Sequence, residues 1–243
     1  MLYLQCKKRW LKTFVIGLAI FASLDVQAQR NLNLEEHDQK PYYFGISLGF
    51  NRSGFHSERH PNFLLQDTIL AVEPLQSTGF NLGLSATVRL NHRFELRANP
   101  QLIFLDRPFQ YNLKYPDKFD NALVVQKKVE SVIVNAPLQL RFLSDRIGNF
   151  RVYMMGGGKL ELDLASNAQS RNAENMIRIK RYDYGVEGGI GFKFYYPSFI
   201  LSPEIKFSNG LRNMHFRNPK LNYSDVLDRV NSRMIVFTLH LEG

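Results

Sequence analysis

From about residue 40 onward, apolar and polar side chains alternate one for one along most of this chain. A period of two is the repeat of a β-strand with two unlike faces, and no helix can use it, because a helix gathers its faces every three or four residues. Residues 80–90 show the pattern best. Phe80, Leu82, Leu84, Ala86, Val88 and Leu90 lie on one face and Asn81, Gly83, Ser85, Thr87 and Arg89 on the other. After Asn91-His92 it restarts, with Phe94, Leu96, Ala98, Leu102 and Phe104 opposite Arg93, Glu95, Arg97, Asn99 and Gln101, which predicts a tight hairpin. The same pattern predicts strands near 42–50, 128–142, 150–164, 181–196, 199–208 and 231–242, eight in all. A stock of 19 Phe, 11 Tyr and 16 Gly suits strands and turns better than a leucine-rich helical core.

The connections alternate as well. Those at 91–93, 143–149 and 197–198 are short, whereas 51–79, 106–127, 165–180 and 209–230 are long and polar. An even strand count with a short/long rhythm predicts an all-β, eight-stranded antiparallel up-and-down transmembrane barrel, with periplasmic turns, extracellular loops and both termini in the periplasm. Charge separates the faces. The apolar face carries no charge across the strand centres. The other face holds Arg89, Glu95, Arg97, Arg141, Lys159, Glu161, Asp183, Glu187, Lys193, Glu204 and Lys206. A lipocalin-like barrel has the reverse, an apolar cavity and a wet exterior. Phe94, Phe142, Phe150, Tyr196 and Phe199 flank the short turns on the apolar face, where an interfacial girdle belongs. Pro100, Pro137 and Pro203 fall inside strands. The expected effect of each is a bulge or a strand end, beyond which side-chain facing would slip by one residue.

The first 28 residues read as a secretory signal. Lys7, Lys8, Arg9 and Lys12 precede an apolar run to Leu24, and Val26-Gln27-Ala28 supplies a small-residue cleavage site. Residues 29–41 would then form a periplasmic arm and 42–243 the outer-membrane barrel. Removing the signal leaves 27 basic and 21 acidic residues, so a net charge of +9 becomes +6. The single Cys, Cys6, goes with it, which excludes thiol catalysis, cysteine-ligated zinc and disulfides from the mature chain. Charges interleaved in sign on a secreted barrel argue against nucleic acid as a partner.

No constellation points to a catalytic site or a cofactor. Gly156-Gly157-Gly158-Lys159 lacks the spacing of a phosphate loop, and Gly185, Gly188, Gly189 and Gly191 read as barrel wall. His56 and His60 could share a metal only on a helix. Neighbouring strands bring Arg89 near Glu95 and Arg97, and Glu187 near Lys193 and Glu204, so opposite signs pair across a lumen only as wide as its side chains. The expected interior is therefore an ion-paired plug. In the last long loop, Arg212, Phe216, Arg217, Lys220 and Tyr223 mix charge with aromatic area and suggest a surface for a partner, or for the phosphates of lipopolysaccharide. Asp67-Thr68-Ile69 has the form of an O-glycosylation site at Thr68. The alternatives for such a barrel are a small channel, a lipid-modifying enzyme, and a structural or adhesion barrel.

Four stretches carry a family resemblance: Tyr43 to Asn51 (YFGISLGFN), Asn135-Ala136-Pro137-Leu138, Gly156-Gly157-Gly158-Lys159 through Asp163-Leu164, and Pro203 to Leu211 (PEIKFSNGL). Through them the mature chain resembles the PorT/SprT family of outer-membrane barrels of Bacteroidota. The resemblance implies a non-enzymatic role in type IX protein secretion, in gliding motility where that occurs, and partners among the other secretion components. It supplies no catalytic residue.

Overall fold

The computed structural model describes residues 32–60, 69–116, 122–165, 179–215 and 227–243. A short 3-10 helix, Glu35–Gln39, precedes ten strand segments: β1 Tyr42–Arg59, β2 Ile69–Pro74, β3 Ser77–Arg89, β4 Phe94–Ala98, β5 Gln101–Leu113, β6 Val124–Leu143, β7 Phe150–Asp163, β8 Tyr182–Tyr195, β9 Ile200–Gly210 and β10 Leu227–Glu242. They act as eight staves. β2 and β3 run on as one strand interrupted at Leu75-Gln76, and β4 and β5 as another interrupted at Asn99-Pro100. Every pairing is antiparallel, and β1 pairs with both β3 and β10, so the sheet closes.

The register gives the geometry of closure. Pairing leads from Phe44 to Ala86, Ala98, Leu138, Gly158, Val186, Asn209 and Arg233, and returns to β1 at Gly54, ten residues beyond the start. A shift of that size over eight staves corresponds to a strand tilt of about 40°, within the range of natural barrels. The short turns close tightly: Leu90 N–H donates to Phe94 at 2.9 Å, and Tyr196 N–H to Phe199 at 2.9 Å. The β6–β7 turn has Gly148 at φ 61°, in the left-handed region that glycine enters without a Cβ clash.

The three prolines break hydrogen bonds without moving side chains. Pro100 and Pro137 share one gap in the pairing of β4–β5 with β6, between Ala98↔Leu138 and Gln101↔Asn135. Pro203 opens another between Gly191↔Glu204 and Phe194↔Leu201. The register is the same on both sides of each gap, so the expected slip does not occur. Asn99 and Gln101 are both buried, as are Asn135 and Gln139, and Ser202 and Glu204. Facing changes instead on the β2–β3 stave: Ile69 and Val72 are both buried, three residues apart, across a register shift between Ile69 and Ala71, and Val72 and Asn81 both point inward, nine residues apart across Leu75-Gln76, which an unbroken strand forbids.

The walls are longer than the alternation predicts. Much of what reads as long loop is strand: β1 continues to Arg59, β5 to Leu113, β6 begins at Val124 and β10 at Leu227. Along the extensions the faces exchange character. Phe55, Val72, Phe109, Tyr111, Leu113, Val125 and Val230 point inward and are buried, while His56, Glu58 and Glu73 are exposed. The staves thus emerge from an apolar surrounding into an aqueous one and change sides accordingly.

Candidate functional site: the lumen and its closures

At the short-turn end, the lumen is filled by charge. Glu95 accepts from Tyr43 Oη at 2.7 Å and pairs with Lys193 at 3.0 Å, Arg89 at 3.3 Å and Arg141 at 3.5 Å. Glu242 pairs with Arg141 at 3.2 Å and Lys193 at 3.6 Å. Across the barrel, Arg97 Nη2 meets Glu204 Oε2 at 2.5 Å, Arg97 Nε donates to Gln139 at 2.6 Å, and Tyr153 Oη donates to Glu204 at 2.8 Å. The Arg141 guanidinium lies 4.0 Å from the centre of the Tyr153 ring. That ring has room because Gly191 faces it: a Cβ at Gly191 would come within 2.3 Å of its Cζ.

Register explains why these groups meet. Arg89↔Glu95, Glu95↔Arg141 and Arg97↔Gln139 are directly opposed on adjacent strands. The Arg97–Glu204 contact spans the lumen instead, which eight staves keep within side-chain reach. Taking such ions out of water costs several kcal/mol each, and mutual attraction offsets that only when nearly every charge has a partner. The cluster is therefore a built plug.

Above it, Glu187 accepts from Gln139 Nε2 and has Lys206 at 3.9 Å, and Lys159 pairs with Glu161 at 2.7 Å. Ile103, Leu105 and Ile133 from β5 and β6 meet Met234 and Val236 of β10, an apolar septum across the lumen. Arg107 lies beyond it, its guanidinium 4.5 Å from the Phe55 ring centre and Nη1 donating to Ser232 at 3.3 Å. The extended walls then hold the second apolar cluster, with Phe55 and Phe109 stacked at 5.3 Å.

The short-turn mouth has its own stopper. Asp38 of the 3-10 helix pairs with Arg146 at 2.9 Å and Arg151 at 3.4 Å, Asn33 bonds Asn149 and Tyr195, and Arg89 donates to the carbonyls of His37 and Lys40. His37 is buried with its ring 4.6 Å from that of Tyr43, and neither ring nitrogen has a hydrogen-bond partner. Burial, with Lys193 and Arg89 close by, lowers its pKa to about 4, so the imidazole is neutral at pH 7.

All eleven charged residues singled out from the sequence face the lumen, though some pair differently. Lys193 joins Glu95 and Glu242, not Glu187, and Glu187 joins Lys206 and Gln139. Arg107 was missed because its stretch reads as loop. Glu242, Tyr43 and Tyr153 sit on the polar face of the alternation, and only the register makes them plug residues. Arg212 is held to the wall, its N–H on Asp183 at 3.3 Å and Nη1 on the Tyr182 carbonyl at 3.4 Å, so it does not project as a docking side chain. Phe216, Arg217, Lys220, Tyr223 and Thr68, like the signal segment, lie outside the described residues. His56 stands on strand β1, without the helix a shared metal with His60 requires.

Outside, the staves carry an apolar belt. Phe44, Phe50, Leu84, Met154, Leu160 and Phe207 are each more than 60% exposed, a contiguous surface that water would not tolerate. An apolar belt around a closed, polar-filled ring of eight antiparallel staves defines an outer-membrane β-barrel. The chain belongs to the family described as outer membrane protein beta-barrel domain, whose model matches residues 12–215, and its place is the bacterial outer membrane. It is similar in fold to the outer membrane protein OprG of Pseudomonas aeruginosa, with 13% identity, a TM-score of 0.50, and 84% of this chain and 95% of that one covered. Two further similar structures are neisserial surface protein A, with 11% identity, a TM-score of 0.40 and coverage of 82% and 96%, and the attachment invasion locus protein Ail of Yersinia pestis, with 12%, 0.40, and 84% and 100%. No curated protein matches the chain by sequence.

Proposed function

We propose that this barrel is a non-enzymatic component of the type IX protein secretion machinery of Bacteroidota, required for export and maturation of cargo and, where present, for gliding. The observation that carries the reading is the lumen, filled by an ion-paired plug, an apolar septum and an apolar cap. A barrel filled in that way works through its surfaces, by holding partners, and not as a conduit. The four stretches that resemble PorT/SprT supply the pathway. In this reading residues 1–28 are removed, residues 29–41 and both termini lie in the periplasm, and the long-loop end faces outward, where the last loop meets secretion components or lipopolysaccharide. Deleting the gene should leave cargo unprocessed in the periplasm; normal export from the deletion strain would refute the proposal.

A second reading, a surface or adhesion barrel, draws on the walls that continue past the belt to Arg59 and Leu113. Affinity purification from outer membranes separates the two. Co-eluting secretion components support the first, and their absence together with normal export supports the second.

A further inference from the structure

The apolar belt has a notch. On β5 and β8 it continues outward through Phe104, Tyr184 and Tyr182, but on β9, β10 and β1 it stops at Phe207, Ile235 and Phe50, and Asn209, Arg233 and Arg52 come next. Depth follows from the register. At about 3.3 Å per residue and a tilt of about 40°, one residue along a stave changes depth by about 2.5 Å and one stave across a row by about 3 Å. On that scale Arg52 and Arg233 lie within about 3 Å of the depth of Phe104 and Tyr184, so two guanidiniums stand at a level that is apolar elsewhere on the ring.

They also line a groove of about 750 Å³ on the outer surface of β8, β9, β10 and β1. Its lower part is Val186, Phe207 and Ile235, and its floor includes Gly188. Arg52 is opposite Ile235 and Arg233 opposite Gly54, which makes the two arginines diagonal neighbours on one face, with His56 above them. Both are exposed, and neither has an ion pair among the described residues, in contrast to the cations of the plug. The described acid lining the groove, Glu187, points into the lumen and is buried.

We propose that this groove binds a phosphate-bearing acylated glycolipid of the lipid A type, with Arg52 and Arg233 on a phosphate and an acyl chain along Val186, Phe207 and Ile235. Two cations with no ion pair among the described residues, directly above an apolar trough, match an anion fixed to hydrocarbon, and a basic residue at a membrane surface contributes about fivefold to holding such a lipid. The proposal rests on the orientation given above, in which the long-loop end faces outward, where that lipid resides.

The test is native mass spectrometry of the full mature chain in detergent, titrated with purified lipid A. The expected result is retention of one lipid, reduced about 30-fold in R52Q/R233Q and abolished in Gly188→Leu, which fills the trough. A Cβ at Gly188 meets only the Met155 carbonyl oxygen, at 3.6 Å, so the wall can accept the change. Heat-modifiable migration on gels checks that each variant folds. Equal retention by the wild type and R52Q/R233Q overturns the proposal. So does equal retention of dephosphorylated lipid A or of phosphatidylglycerol, or displacement by inorganic phosphate at the lipid's own concentration. Orientation is read separately: L123C, in a mature chain with no other thiol, should react with an impermeant maleimide on intact cells. Labelling without lipid retention refutes the groove, and retention without labelling refutes the orientation.

Discussion

Replacing Arg97 by Met keeps the bulk of the side chain and removes its charge from the centre of the plug. Arg97 and Glu204 are both fully buried, and besides Arg97 the carboxylate keeps the Tyr153 hydroxyl at 2.8 Å and the His240 ring at 3.6 Å. An ion left buried without its counter-ion costs about 3–5 kcal/mol. Gln139, whose Oε1 accepts from Arg97 Nε, loses a hydrogen bond as well, which adds about 1 kcal/mol. With a urea slope of about 3 kcal/mol/M for a chain of this size, the unfolding midpoint should fall by about 1–2 M. Heat-modifiable gel migration after equilibration in urea, with the barrel in detergent or liposomes, reads that shift. R97M/E204Q removes both charges and should recover to within about 1 kcal/mol of the wild type. A single variant as stable as the wild type, or a double variant no better than the single, would refute the view that Arg97 and Glu204 are held by each other.

Lowering the pH should loosen the N-terminal arm. The pKa of His37 lies near 4 when docked and 6.5 when free, so above pH 6.5 neither form is charged and docking is unaffected. Between pH 6.5 and about 4 only the free arm takes up the proton, so docking weakens as pH falls, by at most about 3 kcal/mol. Hydrogen exchange of residues 33–40 at pH 7.5 and 4.5 measures this, and H37F should remove the difference; an equal pH response in H37F would contradict it. Gly191→Ala should destabilise the barrel by about 1–3 kcal/mol, through overlap with the Tyr153 ring. Gly191→Ala combined with Tyr153→Ala should lose less than the two single costs added, and strict additivity in urea titrations would count against that contact.

The staves, their facing and the plug were legible where lipid lies on one side and charge on the other. Alternation from Tyr42 to Phe50, or from Phe80 to Leu90, has one apolar face and one polar face, and each falls where the register puts it. At Pro100, Pro137 and Pro203 the sequence shows only that an N–H, and with it a hydrogen bond, is missing. Loss of a bond opens the pairing locally, and the neighbouring pairs hold the register. The extensions were illegible for a different reason. Beyond the level of Phe104 water replaces lipid outside, so polar residues such as His56, Asp106 and Gln110 stand where apolar ones stood, and a strand there looks like a polar loop. Pairings across the lumen, such as Arg97 with Glu204, depend on which staves face one another, which no local pattern contains. The N-terminal stopper, residues 33–40, is too short to show a period.

The lumen is closed three times over, by the plug around Arg97, Arg141, Glu204 and Glu242, the septum of Ile103, Ile133 and Met234, and the cap around Phe55 and Phe109. Planar-bilayer recording of the purified, folded barrel reads that closure. A closed lumen gives no stepwise conductance above the bare bilayer at neutral pH, and reproducible single-channel steps from the wild-type protein would show it to be open.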